Sequence, residues 1–227
     1  MLYYDLNYLL YIAPAILLGL IAQIWVKSAF NKYSKVRARS GLTGRDAARA
    51  ILDRNGLYNV DVRPIPGELT DHFDPRTNVI SLSTPVFGSN SIAAIGVAAH
   101  EAGHAVQHQT GYWFIKVRTA IIPVCNIGAS ISPLLIILGF ALSWIELYWL
   151  GIILFGTVAV FQLVTLPVEF NASRRAIAIL EANGTLTYDE LKGARAVLSA
   201  AALTYVAALV TSLLQLFYFL SLSNRRR

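Results

Sequence analysis

Four long apolar segments dominate the pattern of hydrophobic and polar positions along the chain. They occupy residues 6–26, about 119–144, about 147–168 and about 196–222, and none of them contains a charged side chain. A helix needs about 20 apolar residues to cross a bilayer. A charge at the middle of a bilayer costs several kcal/mol, so its absence from all four segments is informative. The pattern therefore predicts four membrane-spanning helices.

The region between the first two apolar segments, from about residue 29 to residue 111, is the main aqueous segment of the chain. Thr43 is a suitable N-cap for a helix that Gly56 would end. Residues 60–63 form a short extended stretch. Residues 69–73 and 79–83 are extended on both sides of a turn-rich linker, which predicts a small β-hairpin.

Composition supports a membrane protein. Only 14% of the 227 residues are charged, whereas a soluble domain has about a quarter. The formal net charge is +6, but the basic residues flank the apolar segments, which fits membrane topology better than a nucleic-acid partner. The one cysteine, Cys125, excludes a disulfide framework within one chain.

The positions of the basic residues predict which side each loop faces. Five of them follow the first segment, so we expect the N-terminus outside and the following region in the cytoplasm. Glu146, in the short linker after the second segment, would then lie outside. The basic tail 225–227 disagrees, because it would lie outside if the fourth segment crosses fully. Either the tail violates the rule or that segment does not cross. The five residues are Lys27, Lys32, Lys35, Arg37 and Arg39.

A nearly uncharged, largely apolar helix is predicted from Ser91 to about Gln109, and its small amount of polar surface predicts that it is buried. It carries His100, Glu101 and His104, an HExxH pattern. Histidines four residues apart lie on one helical face, where both can bind one Zn²⁺ at about 2 Å. Zinc lowers the pKa of a bound water towards about 7, and Glu101 can accept a proton from that water. We therefore predict one zinc ion per chain, with Glu101 as the general base.

Two further histidines are weaker candidates. His108 lies eight residues after His100, a rise of about 12 Å, which is too far to share a metal ion. We interpret it as a polar residue at the end of the helix. His72 lies on the predicted hairpin, where it could line a substrate cleft or polarise a carbonyl, although a solvent-facing role is the simpler interpretation.

A catalytic zinc needs a third protein ligand, which has to be a carboxylate. Glu146 lies on the wrong side of the predicted membrane. Three other carboxylates lie on the right side but in polar, loop-like sequence, namely Glu181, Asp189 and Glu190. Glu169 directly follows the third apolar segment, and we predict it as the ligand. The rival interpretation makes it an interfacial partner of Arg174 or Arg175.

Two stretches between the first and second apolar segments resemble a known family. They are GELTDHFDPRT at 67–77 and AHEAGHAVQ at 99–107, and the segment around Glu169 and the four-span layout also fit. Both stretches are similar to the YugP-type membrane neutral zinc metallopeptidases, and the similarity covers nearly the whole chain. The resemblance implies a zincin of the gluzincin kind, with His100 and His104 as ligands, Glu101 as base and Glu169 as third ligand.

The resemblance also bears on the group that orients a zinc-binding histidine. In many gluzincins an Asp stands four residues after the ligand Glu, and here that position is Ser173. A hydroxyl accepts a hydrogen bond from an imidazole N–H more weakly than a carboxylate does. Asn171 is the other candidate for this partner.

These patterns predict a mainly α-helical, four-span integral membrane protein. Its cytoplasmic segment would be zincin-like and α+β, with a small β-hairpin. We expect a zinc endopeptidase in a bacterial-type plasma membrane, with its active site facing the cytoplasm and a peptide or membrane-protein substrate. The expected divisions are a first transmembrane helix 1–28, a zincin-like segment 29–117, a transmembrane hairpin 118–168, a third-ligand segment 169–195, and a fourth apolar helix with the basic tail 196–227.

Two other functions stay open, a non-catalytic zinc-binding scaffold and an intramembrane-cleaving zinc protease. Glu101 argues against the scaffold, because a structural site needs no base. The polar residues Gln107, His108 and Gln109 argue against a metal site deep inside a span. The stabiliser of the oxyanion is unassigned, and the candidates are His72, Tyr205 and Arg174.

Overall fold

The computed structural model describes residues 6–224, which form seven helices and three short strands. The basic tail 225–227, whose side of the membrane was in question, lies outside the described residues. The helices are α1 Leu6–Tyr33, α2 Gly44–Arg54, α3 Thr84–Phe87, α4 Ile92–Gln109, α5 Trp113–Ala141, α6 Ile145–Ala182 and α7 Tyr188–Asn224. The strands are β1 Asp61–Ile65, β2 His72–Asp74 and β3 Val79–Ser83.

Four of these helices, α1, α5, α6 and α7, are long and apolar enough to cross a membrane, as predicted. Their surfaces expose large apolar side chains, for example Leu10 (73% exposed), Ile137 (64%) and Ile153 (65%). Soluble proteins rarely expose large continuous patches of this kind. The exposed surface of these helices therefore fits contact with lipid.

The chain divides into two compact units. The helical unit comprises the described residues up to Gln23, Lys116–Pro167, and those from Leu203 onward. The mixed unit comprises Ile24–Ile115 and Val168–Ala202, and it contains all three strands.

Glycines allow close packing of α5 against α6 in the helical unit. A Cβ at Gly128 would overlap the Thr157 side chain, and a Cβ at Gly139 would overlap the Tyr148 backbone. Small residues of this kind let membrane helices approach closely. The Tyr148 hydroxyl donates to the carbonyl of Phe219 at 2.8 Å, which ties α6 to α7.

The mixed unit begins with the capped helix that the sequence predicts. The Thr43 hydroxyl accepts from the Asp46 backbone N–H at 3.2 Å, and the Asp46 carboxylate accepts from the Thr43 N–H at 3.1 Å. The hydrogen bond from the Thr43 hydroxyl holds the pKa of Asp46 below its usual value. After α2, Gly56 adopts a positive φ of +70°, which stops the helix as expected.

The three strands form one sheet in the order β1-β3-β2. Strands β2 and β3 are antiparallel, with His72 opposite Ser81, so the predicted hairpin is confirmed. Strand β1 pairs with β3 in parallel, from Asp61 opposite Val79. It contains Pro64, which a strand tolerates at the edge of a sheet because its missing N–H can face away from the ladder.

Helix α4 lies in the core of the mixed unit. The Ser91 hydroxyl caps it by accepting from the Ala94 N–H at 3.2 Å. Residues Ala94, Ile95, Ala98 and Ala99 are 0% exposed, so the predicted burial of this helix is confirmed. The small side chains of α4 leave room for its neighbours on several sides.

Helix α6 continues beyond the end of the apolar segment, which corrects one expectation. The sequence around Glu181 was interpreted as loop-like, but α6 runs without interruption to Ala182. The reason is a stripe of residues four apart, Val168, Ala172, Ala176 and Leu180, all of which are 0% exposed. Asp189 and Glu190 likewise lie in the first turn of α7 rather than in a loop.

Candidate metal centre

Two helices of the mixed unit bring three ligand atoms together. His100 and His104 lie one turn apart on α4, and Glu169 lies on α6. The Nε2 atoms of the two histidines are 3.1 Å apart. Oε2 of Glu169 is 3.3 Å from Nε2 of His100 and 3.5 Å from Nε2 of His104. Within residues 6–224, this is the group of His, Cys, Asp or Glu side chains that could hold a metal ion.

The spacing of the three atoms tests whether a zinc ion fits. Zinc bonds of about 2.0–2.1 Å in tetrahedral geometry place the ligand atoms about 3.3 Å from one another. The observed separations of 3.1, 3.3 and 3.5 Å are close to this triangle. The donor set of two imidazole nitrogens and one carboxylate oxygen is also one that zinc accepts. These residues therefore fit a zinc ion with three protein ligands.

A buried amide fixes the tautomer of His104. Gln107, which is 0% exposed, donates from Nε2 to the Val168 carbonyl at 2.8 Å and to Asn171 Oδ1 at 2.9 Å. Because both partners are acceptors, Oε1 of Gln107 must face Nδ1 of His104, 3.0 Å away. Nδ1 of His104 therefore carries the proton, and the lone pair on Nε2 faces Glu169.

Helix α6 supplies the corresponding partner for His100. Oγ of Ser173, one turn after Glu169, is 3.1 Å from Nδ1 of His100. A proton on Nδ1 leaves Nε2 free for a metal. Gly103 makes this approach possible, because a Cβ there would lie 2.9 Å from the carbonyl oxygen of Ala172.

The two candidate orienting residues thus have different positions. Ser173 contacts a histidine directly, at the position that the resemblance points to. Asn171 reaches His104 only through Gln107, and its Oδ1 also accepts from Nε of Arg175 at 2.8 Å. The sequence analysis noted Gln107 only as a polar residue of the helix and missed its role as the hydrogen-bond partner of His104. The one available signal was an amide three residues after a histidine in an otherwise apolar helix.

Glu101 is placed to act on a group near the histidines. Its side chain is 7% exposed, and it forms no hydrogen bond or ion pair with any residue in the part of the chain that the structure describes. Burying a carboxylate without a partner is costly.

The charges around His104 shift its protonation. Burial disfavours the charged imidazolium, but the hydrogen bond that the imidazolium donates to the Glu169 carboxylate and the negative charges of Glu169 and Glu101 outweigh burial and raise the pKa of His104. The pocket therefore favours positive charge at the imidazole of His104, whether a proton or a metal ion supplies it.

The remaining histidines lie outside the cluster. His72 is exposed on β2, and its Nδ1 lies 2.9 Å from the Thr70 carbonyl. His108 is exposed in the last turn of α4, with its ring 6.2 Å from that of Phe73. As oxyanion candidates, Arg174 is exposed on α6 and Tyr205 is half-buried on α7.

The alternative carboxylates have other partners. Glu181 is exposed and 3.7 Å from Arg195, and Asp189 is exposed and 2.9 Å from Lys192. Glu190 is buried, and it accepts from the backbone N–H groups of Arg39 at 2.8 Å and Thr187 at 2.7 Å. Its role is to hold the start of α7 to the preceding chain.

Known proteins similar to this chain agree with the geometry. The model of a family described as "Putative neutral zinc metallopeptidase" matches residues 8–224. The chain is 54% identical over 198 residues to the "Putative membrane protease YugP" of Bacillus subtilis (strain 168), which covers 87% of this chain and 88% of that protein. No solved structure matches the chain.

Proposed function

The chain belongs to the neutral zinc metallopeptidase family, and from this premise we propose that it is a membrane-bound endopeptidase that hydrolyses peptide bonds. One observation carries the proposal. Nε2 of His100, Nε2 of His104 and Oε2 of Glu169 converge at separations of 3.1–3.5 Å. Three protein ligands leave one position of a tetrahedral ion for water or substrate, as catalytic zinc sites do.

The chemistry is divided between the ion and the residues of the chain. Bound zinc would supply a Lewis acid that polarises the substrate carbonyl and lowers the pKa of water to about 7. Glu101 accepts the proton of the attacking water and later delivers it to the leaving amine. Ser173 and Gln107 keep the imidazoles in the tautomer that presents Nε2. The family resemblance assigns the same roles to His100, Glu101, His104 and Glu169.

The buried carboxylate of Glu101, which has no hydrogen bond or ion pair with a described residue, favours this proposal over a zinc-binding scaffold. A structural site closes its fourth position with a protein ligand and has no use for a base. Glu101 therefore separates the two functions experimentally.

The substrate is a peptide or a membrane protein held in extended form at the zincin-like mixed unit. Strand β2 lies at one edge of the sheet and β1 at the other. An extended peptide can pair with such an edge through backbone hydrogen bonds. Short edges of three and five residues suit a substrate that binds briefly.

Hydrolysis and zinc content test the proposal together. Purified protein should carry one zinc per chain and cleave unfolded model peptides. Glu101→Gln should keep the zinc and lose about two to four orders of magnitude in rate, the usual contribution of a general base. Glu181→Gln, which removes an exposed carboxylate, is the matched control. Full activity in Glu101→Gln, or well-folded wild-type protein that lacks metal in zinc-containing buffer, would show that the assignment is wrong.

We also propose that the site faces the cytoplasm. The basic residues after the first apolar segment support this orientation. With Cys125 replaced by Ser, single cysteines at Glu146, Arg39 and Arg175 can be labelled with a membrane-impermeant reagent. From outside intact cells, only the probe at Glu146 should react. Labelling of the probe at position 39 or 175 from outside would contradict the proposed orientation.

A further inference from the structure

Three glutamines of the helical unit line one cavity of about 370 Å³. They come from the apolar parts of three different helices, Gln23 from α1, Gln162 from α6 and Gln215 from α7. Hydroxyl groups, small residues, Phe155 and Val158 complete the lining. A Cβ at Gly19 would meet no atom within 4 Å, so α1 leaves open space on this side.

The glutamine amides are not used to hold the described structure together. Gln23, Gln162 and Gln215 form no hydrogen bond with any residue that the structure describes. The hydroxyls of Thr211 and Ser212, in contrast, each donate to a carbonyl of their own helix at 2.8 Å. In a membrane-spanning helix an unbonded amide is unfavourable, because lipid offers it no partner. Three such amides around one cavity therefore indicate a polar occupant.

The lining selects the chemistry of that occupant. Among the described residues around the cavity none is charged, so an anionic headgroup or a metal ion would find no counter-charge. A glutamine amide has both N–H donors and a carbonyl acceptor, and it therefore matches a peptide group. From Thr204 to Gln215 the lining extends along α7 for about 16 Å, the length of about five extended residues.

We propose that this cavity binds the locally unwound backbone of a membrane-spanning polypeptide segment. The proposal rests on the proposed function, because it makes membrane proteins with a weak or broken helix the substrates of the peptidase. Backbone groups released from a helix need hydrogen-bond partners inside the membrane, and the three amides supply them. A regular helix has no free peptide groups and would gain nothing from the cavity.

The helical unit also contains a control surface. A second cavity of about 590 Å³ is lined almost entirely by apolar side chains, including Val124, Ile153 and Leu213. It offers contact with lipid chains or apolar side chains and no amide. A probe placed there should not distinguish a broken helix from a regular one.

Photo-crosslinking in lipid vesicles tests the proposal. A small diazirine-bearing side chain replaces Ala208, which lines the polar cavity, or Val124, which lines the apolar one. The protein carries Glu101→Gln, so the peptide is not cleaved before it is crosslinked. Two synthetic membrane-spanning peptides of Leu and Ala are compared, one regular and one with a central Gly-Pro pair. At position 208 the broken peptide should crosslink more by about fivefold or better, the effect of one net hydrogen bond.

Replacement of all three glutamines by Leu should reduce crosslinking of the broken peptide to that of the regular one. The same variant should keep its zinc and its unfolding temperature, because the amides have no structural partner. Protein without the diazirine should compete for the broken peptide and reduce its crosslinking to the diazirine-bearing protein. The diazirine-free Ala208→Phe variant should not compete, because the larger side chain would fill the cavity. The proposal is overturned if both peptides crosslink equally, if neither crosslinks, or if the triple variant unfolds at a lower temperature. Since crosslinking needs no hydrolysis, an inactive wild-type enzyme would refute the peptidase function without affecting this result.

Discussion

Replacement of Gln107 by Leu tests how the metal centre is built. The side chain is fully buried and contacts His104 Nδ1, the Val168 carbonyl and Asn171 Oδ1 at 3.0, 2.8 and 2.9 Å. Leucine has a similar volume but no polar atom, so the variant should keep the packing and lose all three hydrogen bonds. The imidazole of His104 is then free to rotate or to change its tautomer.

The expected magnitude follows from the contact that is lost. Loss of the partner that orients a metal-binding histidine typically lowers metal affinity by about 10–100-fold. This factor corresponds to about 1.4–2.7 kcal/mol. The N–H of His104 is also left buried without an acceptor, which costs about 1–3 kcal/mol of stability. Both the zinc affinity and the stability of the zinc-free protein should therefore fall.

Gln107→Glu separates these two effects. A carboxylate still accepts from Nδ1 of His104, so zinc affinity should remain closer to that of the wild type. It cannot donate to the Val168 carbonyl or to Asn171, and it places negative charge against two acceptors. The free energy of unfolding should therefore fall more than the zinc affinity does.

The assay is competition for zinc with a chromophoric chelator, together with thermal unfolding of the zinc-free protein. Gln109→Leu is the matched control, because Gln109 is exposed and its amide donates to the Asn55 carbonyl at 3.1 Å. It should bind zinc as the wild type does. If Gln107→Leu also binds zinc with unchanged affinity, the amide does not orient His104 and the reasoning is refuted.

Three other substitutions test the metal centre and the N-cap of α2. Glu169→Ala should abolish tight zinc binding in the chelator assay while the control Glu181→Ala retains it, and equal binding by both would exclude Glu169 as a ligand. Gly103→Ala should weaken zinc binding and lower the unfolding temperature, because its Cβ would lie 2.9 Å from the Ala172 carbonyl oxygen; an unchanged protein would mean that α4 and α6 can separate freely. Thr43→Ala should lower the free energy of unfolding by about 1 kcal/mol in denaturant titration and Thr43→Ser should not, since only the first removes the N-cap hydroxyl.

The histidine pair and the buried helix that carries it could be predicted because their signals are local. Four-residue spacing sets both imidazoles on one face, and Ser91 marks the start of the helix. Glu169 could be predicted because a carboxylate directly after an apolar segment needs a specific reason. The four long helices follow from composition alone.

The parts that sequence reasoning missed depend on contacts between distant segments. Gln107 orients His104 only because α6 brings acceptors to the other side of its amide, and no pattern in residues 91–109 announces them. The parallel pairing of β1 with β3 joins strands between which β2 lies in the sequence. The length of α6 depends on a buried stripe of four residues, and one of them, Ala172, lies close to Gly103 of α4.

The neutral partners of the two histidines are consistent with the charge of the site. A zinc ion carries two positive charges, and Glu169 and Glu101, both buried, supply two negative ones. An additional buried carboxylate at position 173 would leave net negative charge in a poorly solvated pocket, which is unfavourable. A hydroxyl at Ser173 and an amide at Gln107 orient both imidazoles without changing that balance. Carboxylate partners raise the basicity of a metal-bound histidine, whereas neutral partners leave the ion more strongly electron-withdrawing. Ser173, where many gluzincins have an Asp, is therefore compatible with catalysis in this pocket. Glu169 and Glu101 already balance the two positive charges of the ion.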